Sequence, residues 1–506
     1  MTVTIDEPLL RAVPSGRVSV AALARVEARH FLRSPFLWGG VVLAVGLGVA
    51  WSWTSMPQWD GFIENSGMSA LVLGAALLIA AHLAAGRDHR AGAGESFRSL
   101  PVTAARRGLG LLVTVPIAAL TGAIVYALQL LILLPSWPVG RFDPWAVLVV
   151  VILPPIGAAV GAVVGRSFPA VAAGPLAVAG IVVALFLSLA ISTSSGGYLG
   201  QSWPVPGRPW SLGGDRPTEW HLVYLCGILA AVVALISWRA RTKSSAVLLT
   251  VALLITGVAL QRKVAEDDAI YAERERNIYA AEEPQSAVIA ALDCRTYADV
   301  RYCALPGFGR WTGLWRAAVE PVAALLPAAA ARPAVRQLDN SDSGEPMVPG
   351  RPEIVTSTSW GRIGPWAANS RTGMARSWAS AAVGLAKRED AFMWGSCDAA
   401  GQHRTVVGLW LLALTQPDGA ARVARGELGL PRVRQGPADL QAVATLLARP
   451  SSEVTAYLQA HWAAVLDPAG TALAGLGVTT TPPPIPAAPV TEPESGPPSE
   501  DAGVCR

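Results

Sequence analysis

Seven apolar stretches between Phe36 and Leu260, followed by a long polar C-terminal half without another, limit what this chain can fold into. They are Phe36–Trp53, Ser69–Ala85, Gly108–Leu134, Trp145–Gly165, Pro169–Ile191, Trp220–Trp238 and Ser244–Leu260, each about 17 to 27 residues long. An α-helix needs roughly 20 apolar residues to cross a bilayer core, and a shorter one crosses with local thinning. The pattern predicts an all-α polytopic membrane domain of six spans plus a seventh, with the chain entering and leaving on opposite sides. Only 15% of the residues are charged, against about 25% in a soluble domain. A net charge of +4 over 506 residues gives no footprint for nucleic acid.

Lysine and arginine in the short loops set the expected orientation. With the N-terminus cytoplasmic, the inner segments carry fourteen basic residues and the outer loops carry three, Arg141, Arg208 and Arg216. The pair Arg262–Lys263, just past the seventh stretch, opposes this bias. Trp51, Trp53, Trp137, Trp145, Trp220 and Trp238 fall at or near stretch ends, the headgroup level that amphipathic rings prefer. Residues 1–16 contain no long apolar run, so the first stretch is expected to stay in place as an anchor. The expected location is the cell inner (plasma) membrane, multi-pass, with the C-terminal half extracytoplasmic.

Four regions follow: 1–35, a cytoplasmic N-terminus with an interfacial helix; 36–260, the transmembrane domain; 261–478, an extracytoplasmic α+β domain; and 479–506, a disordered tail rich in proline, threonine and glutamate. Residues 262–283 are charged and helix-compatible, a stalk leading out of the membrane. Beyond them, residues 293–305 read as a hairpin, 334–338 and 353–358 as strands, and 311–331, 372–386, 402–414, 438–448 and 452–465 as helices, with Ser451 or Ser452 as the N-cap of the last. Cys294 and Cys303 flank the hairpin turn, and an oxidising compartment favours a disulfide between them; two unrelated thiols are the alternative. Cys397 and Cys505 are a possible second pair, and Cys226 is a packing residue within a span.

Three segments carry mechanical information. In Val18–Ser34, Arg25, Arg29 and Arg33 recur every four residues and share one helical face, as in a helix lying on the membrane surface. In the fourth stretch, Gly157, Gly161 and Gly165 follow Pro154–Pro155; small residues at this spacing admit a second helix closely, and the prolines are expected to kink the helix. Between the second and third stretches, residues 86–102 run basic, then glycine-rich, then through Glu95–Ser96–Phe97–Arg98–Ser99–Leu100 to Pro101–Val102. An ordinary positively charged inner loop is the plain reading of that segment.

Its order also resembles the loop of permease subunits of bacterial ATP-binding-cassette (ABC) exporters of the drug and polysaccharide export class. There a charged pair, a small turn and a glutamate-containing short helix end in a similar "Leu-Pro-Val". The resemblance covers Ala21 to Trp238: entry helix, loop and six spans. It implies that Glu95, Ser96, Phe97, Arg98 and Leu100 form the ATPase-coupling loop. It also implies that the chain works with an ABC ATPase subunit and a second permease copy in the membrane lipid. The added seventh span and large outer domain depart from the family's simplest members. No Gly-x4-Gly-Lys-Ser/Thr loop occurs, so ATP is expected on the partner, with no cofactor or metal on this chain and no enzymatic activity of its own. The C-terminal half has no His-Glu-x2-His or Gly-x-Ser-x-Gly pattern, and its only histidines, His403 and His461, lie far apart. Charged residues inside the spans are nearly absent; His82, near the end of the second, is the exception and is placed to snorkel to the inner surface. The alternative class is a membrane-anchored scaffold presenting its C-terminal domain to a binding partner.

Overall fold

The structure, a computed structural model, describes residues 16–92, 104–191, 197–207, 218–238, 243–279, 292–337, 353–385, 397–482 and 504–505. It divides into two compact units, 1–281 and 282–506. The boundary falls later than the expected 260/261 because one helix runs on without a break to Tyr279.

The first unit is helical: α1 (Gly16–Leu32), α2 (Pro35–Trp53), α3 (Trp59–Ala85), α4 (Arg87–Arg90), α5 (Ala104–Leu111), α6 (Thr114–Leu133), α7 (Pro144–Ser167), α8 (Ala173–Ile191), α9 (Gly197–Gln201), α10 (Thr218–Trp238) and α11 (Lys243–Tyr279). Among the described residues six helices are long and apolar enough to cross a membrane, over 35–53, 59–85, 107–136, 144–167, 218–236 and 244–269. Six of the seven expected stretches therefore meet this criterion. The C-terminal stretch beginning at Ser244 is among the six, whereas the fifth stretch supplies a shorter apolar segment, Ala173–Ser188.

The first unit is organised around α3 and α7. A Cβ added at Gly157, Gly161 or Gly165 would run into the α3 backbone at Gly74, Leu78 and His82 respectively. Only glycine permits this approach, and close approach matters because apolar burial does not drive helices together in lipid. The helix α7 continues through Pro154 and Pro155, both buried. Pro154 packs against Gly122 of α6, and Gly74 of α3 lies against the same turn, so the crowding that proline brings is met by glycines. Gln129, fully buried on α6, donates its amide to Ala44 O of α2 at 2.9 Å and to Ser69 Oγ of α3 at 2.8 Å. His82 does not snorkel: it is buried, and its Nε2 donates to Ala170 O at 3.1 Å.

The second unit contains a four-stranded sheet in the order β1 (Asp293–Tyr297), β2 (Val300–Ala304), β3 (Ala334–Gln337), β4 (Glu353–Thr356). The first pair is antiparallel and the other two are parallel. Ala298 and Asp299 turn the hairpin with φ of 45° and 65°, the left-handed values a two-residue turn demands. Cys294 and Cys303 stand opposite each other in that register and are bonded. Helix α12 (Thr312–Ala323) connects β2 to β3. The remaining helices are α13 (Gly364–Ala382), α14 (His403–Thr415), α15 (Gly419–Ala424), α16 (Pro437–Leu447) and α17 (Ser451–Leu466), beside a small parallel pair, β5 (Cys397–Asp398) with β6 (Val433–Arg434). Helix α14 is buried on every side from His403 to Ala413, the signature of a central core helix. The expected serine cap of α17 is not used: Pro450 occupies that position, and Ser451 opens the helix.

The disordered-tail expectation also needs correction where the tail is described. Thr480 is buried, Val504 bridges to Asp398, and Cys505 is buried and bonded to Cys397. Gln402 Nε2 and Arg404 Nη2 donate to Cys505 O at 3.0 and 2.9 Å, so the tail end satisfies two side chains of the core.

Two outcomes follow from this packing. Gly161→Leu is expected to lower the thermal midpoint of the detergent-solubilised protein by the equivalent of at least about 2 kcal/mol. Gly39→Leu, at a position with open space around its Cβ, is expected to leave it unchanged. Cys505→Ser, which opens a bridge of sequence separation 108, is expected to destabilise the second unit by about 4 kcal/mol on chain-entropy grounds, read from a denaturant midpoint.

Candidate functional site

The polar residues that follow the apolar part of α11 build the most unusual site in the first unit. Lys263 and Asp267 are four residues apart on one helical face. That face meets the first turns of α10, where His221 lies, and α9, where Gln201 lies. Lys263 and His221 are 0% exposed, Gln201 1% and Asp267 2%. Burying such groups is costly unless they satisfy one another.

They do so in a connected set. Lys263 Nζ donates to Gln201 O, and lies 2.7 Å from His221 Nδ1. Gln201 Nε2 donates to Asp267 Oδ2 at 2.6 Å. His221 Nε2 lies 3.0 Å from Pro204 O; a carbonyl only accepts, so Nε2 carries the proton and Nδ1 offers its lone pair to the lysine. The Tyr224 ring, one turn further along α10, stacks with His221 at 6.1 Å and holds the Lys263 ammonium 4.7 Å from its centroid, a cation–π contact. Alongside, Trp220 Nε1 donates to Glu266 at 2.8 Å. Chemically, the set places an amine, a carboxylate and an imidazole in one water-poor cluster and clamps the 201–204 backbone between α10 and α11.

This site escapes a reading that ends the last span at Leu260 and names His82 alone among the residues inside the spans. His221, second residue of the sixth stretch, was the available signal, together with Lys263 and Asp267 at helical spacing. Of the pair Arg262–Lys263, Lys263 is an internal partner, and Arg262 is exposed on the same helix.

A second assembly lies among α1, α4 and α5. On α1, Arg25, Arg29 and Arg33 face outward while Phe31 is buried. Glu27 accepts from Arg87 of α4 at 2.9 Å. Arg90 donates to Pro169 O at 3.0 Å and to Leu83 O. Gly110 of α5 sits against Leu23 of α1, where a Cβ would come within 3.0 Å. The coupling residues implied by resemblance, Glu95, Ser96, Phe97, Arg98 and Leu100, lie outside the described residues, between α4 and α5.

In the second unit His403 and His461 sit on different helices. His403 is buried, accepts the Leu473 N–H at 2.9 Å, and burial holds its imidazole below the usual range. His461 stacks on Tyr457. Among the described residues no group of three or more His, Cys, Asp or Glu side chains is placed to hold a metal.

Compared with known proteins, the chain matches no family model, no curated protein and no solved structure.

Removing one member of a buried charged set strands the others. Lys263→Met is therefore expected to cost about 3 kcal/mol in the first unit, while Arg262→Met changes stability by less than about 0.5 kcal/mol. Denaturant titration in detergent, followed through tryptophan fluorescence, measures both.

Proposed function

We propose that this chain is the permease subunit of an ABC exporter in the inner membrane, supplying the pathway while a separate ATPase chain supplies the power. The observation that carries the reading is the junction of α1, α4 and α5. The segment that resembles a coupling loop leaves α4 and re-enters at α5, and both ends are tied to neighbouring elements. Arg87 is bonded to α1, Arg90 to the chain between α7 and α8, and Gly110 is packed under Leu23. A displacement applied between α4 and α5 therefore reaches the entry helix, α3 and the α7–α8 connection together. A loop hinged at one end would dissipate it. Arg87–Glu27 is a partly exposed pair worth under about 1 kcal/mol; its role in this proposal is geometric.

The two disulfides of the second unit support an extracytoplasmic location for it. With the N-terminus cytoplasmic, that location requires an odd number of crossings, so α8 crosses the membrane in this reading as the seventh span. At 19 residues α8 is at the short end for a span, which local thinning of the bilayer accommodates.

The test is purification from the native membrane followed by mass spectrometry of the complex. A stoichiometric ABC ATPase is expected, lost in Phe97→Ala or Glu95→Arg while the permease still folds. A complex without an ATPase, unchanged by either substitution, would overturn the proposal and favour a membrane-anchored scaffold.

A further inference from the structure

The outward face of α1 carries three guanidinium groups in a row. Arg25, Arg29 and Arg33 are exposed, and the helical turn runs on through Arg33, whose backbone N–H donates to Arg29 O at 3.1 Å. Residues four apart lie nearly above one another, with a rise of about 6 Å for each step. Among the described residues none of the three guanidinium groups has an ion-pair partner. The one acidic residue of α1, Glu27, is turned the other way and accepts from Arg87 of α4. Phe31 is buried, and Leu23 packs on Gly110 of α5. The helix therefore has a protein-facing side, where its acid is neutralised, and an outer side of unpaired positive charge.

Two observations put that outer side at a lipid headgroup layer. The chain turns at Ser34, which is extended (φ −66°, ψ 127°), and Pro35 then opens α2, the first helix of membrane-spanning length. Trp38, in the first turn of α2 and 57% exposed, donates its indole N–H back to Leu32 O at 2.8 Å. A tryptophan with an exposed apolar body and a satisfied polar edge suits the headgroup level, and this bond ties the last turn of α1 to that level. In addition, the arginine row is flanked by exposed apolar side chains, Val26 on one side and Leu32 on the other, the combination that an interfacial helix presents. A soluble acidic ligand would neutralise the arginines and leave these apolar groups in water.

We propose that the outer side of α1 binds anionic phospholipid headgroups of the leaflet that α2 enters, with Arg25, Arg29 and Arg33 on lipid phosphates and Val26 and Leu32 against the acyl boundary. A guanidinium takes phosphate oxygens in bidentate pairs. A zwitterionic headgroup brings its own ammonium to compete for that phosphate, so the site prefers lipids of net negative charge. Each basic residue near a charged bilayer surface adds about fivefold in affinity, on the order of a hundredfold for three. Because α1 is also bonded to α4 and packed on α5, lipid held on its outer side stabilises that junction, whatever the unit transports.

The test is native mass spectrometry of the full-length protein in an uncharged detergent, titrated with phosphatidylglycerol or phosphatidylcholine. Phosphatidylglycerol is expected to bind at least about tenfold more tightly, and to raise the thermal midpoint as a ligand of the folded state does. Changing Arg25, Arg29 and Arg33 together to Gln is expected to cut the preference below about threefold, while changing all three to Lys keeps most of it. Changing Arg301, Arg310 and Arg432 to Gln, exposed arginines of the second unit, removes the same charge and leaves the preference intact. Equal affinity for the two lipids would overturn the proposal, as would a preference that survives in the triple Gln variant. Displacement of the lipid by inorganic phosphate, beyond what chloride achieves at equal ionic strength, would make the face a soluble-anion site and sink the idea. Should the triple Gln variant not fold, the three single substitutions decide: each is expected to weaken phosphatidylglycerol binding about threefold or more, and no effect from any of them rules the site out.

Discussion

Backbone lies on backbone where α7 crosses α3, with Gly157, Gly161 and Gly165 against the turns at Gly74, Leu78 and His82. Dispersion falls off steeply with distance, so this close contact favours association of the two helices in lipid. The other elements depend on it. Helix α6 meets the same double-proline turn through Gly122, α2 joins through Gln129, and α10 packs on the far side of α7. The α3 and α7 spans are accordingly the most buried of the six.

Polar side chains add what close packing lacks, which is direction. Gln129 can satisfy its amide only when α2 and α3 are both in register, so it fixes how far those helices slide. The Lys263, His221, Asp267 and Gln201 set does the same at the ends of α10 and α11, with higher stakes because its members carry charge. Such sets specify one arrangement by making every other arrangement leave a charge unpaired. The set thus welds the segment after α9 to the two last helices of the unit.

The legible and illegible parts of this chain divide along the range of the forces involved. Apolar length and helical spacing are local; they located six membrane helices, though α3 begins ten residues before its apolar stretch and α11 ends nineteen beyond its own, and they placed the hairpin at residues 293–304, strands β3 and β4, and helices α14, α16 and α17 to within a residue or two. The glycine row of α7 was legible as a pattern, yet its partner was not, because nothing along the sequence names Gly74, Leu78 and His82 as the facing turns. The Lys263 set was illegible for a related reason. Its members come from residues 201, 221, 263 and 267, and a lysine outside an apolar stretch looks like a solvated one until the third dimension buries it. The tail misled in the opposite sense: a proline-rich composition says nothing about Cys505, which is buried and bonded to Cys397.

That cysteine orders events in time. Cys397 opens the small parallel pair with β6, and Gln402 and Arg404 stand at the start of the core helix α14. All three find their partner in a residue made about a hundred positions later. A ribosome delivers the chain from the N-terminal end, so α14 exists long before the Cys505 carbonyl that accepts from its buried Arg404. The bridge from Cys397 can close only after the hundred or so residues between the two cysteines have been made.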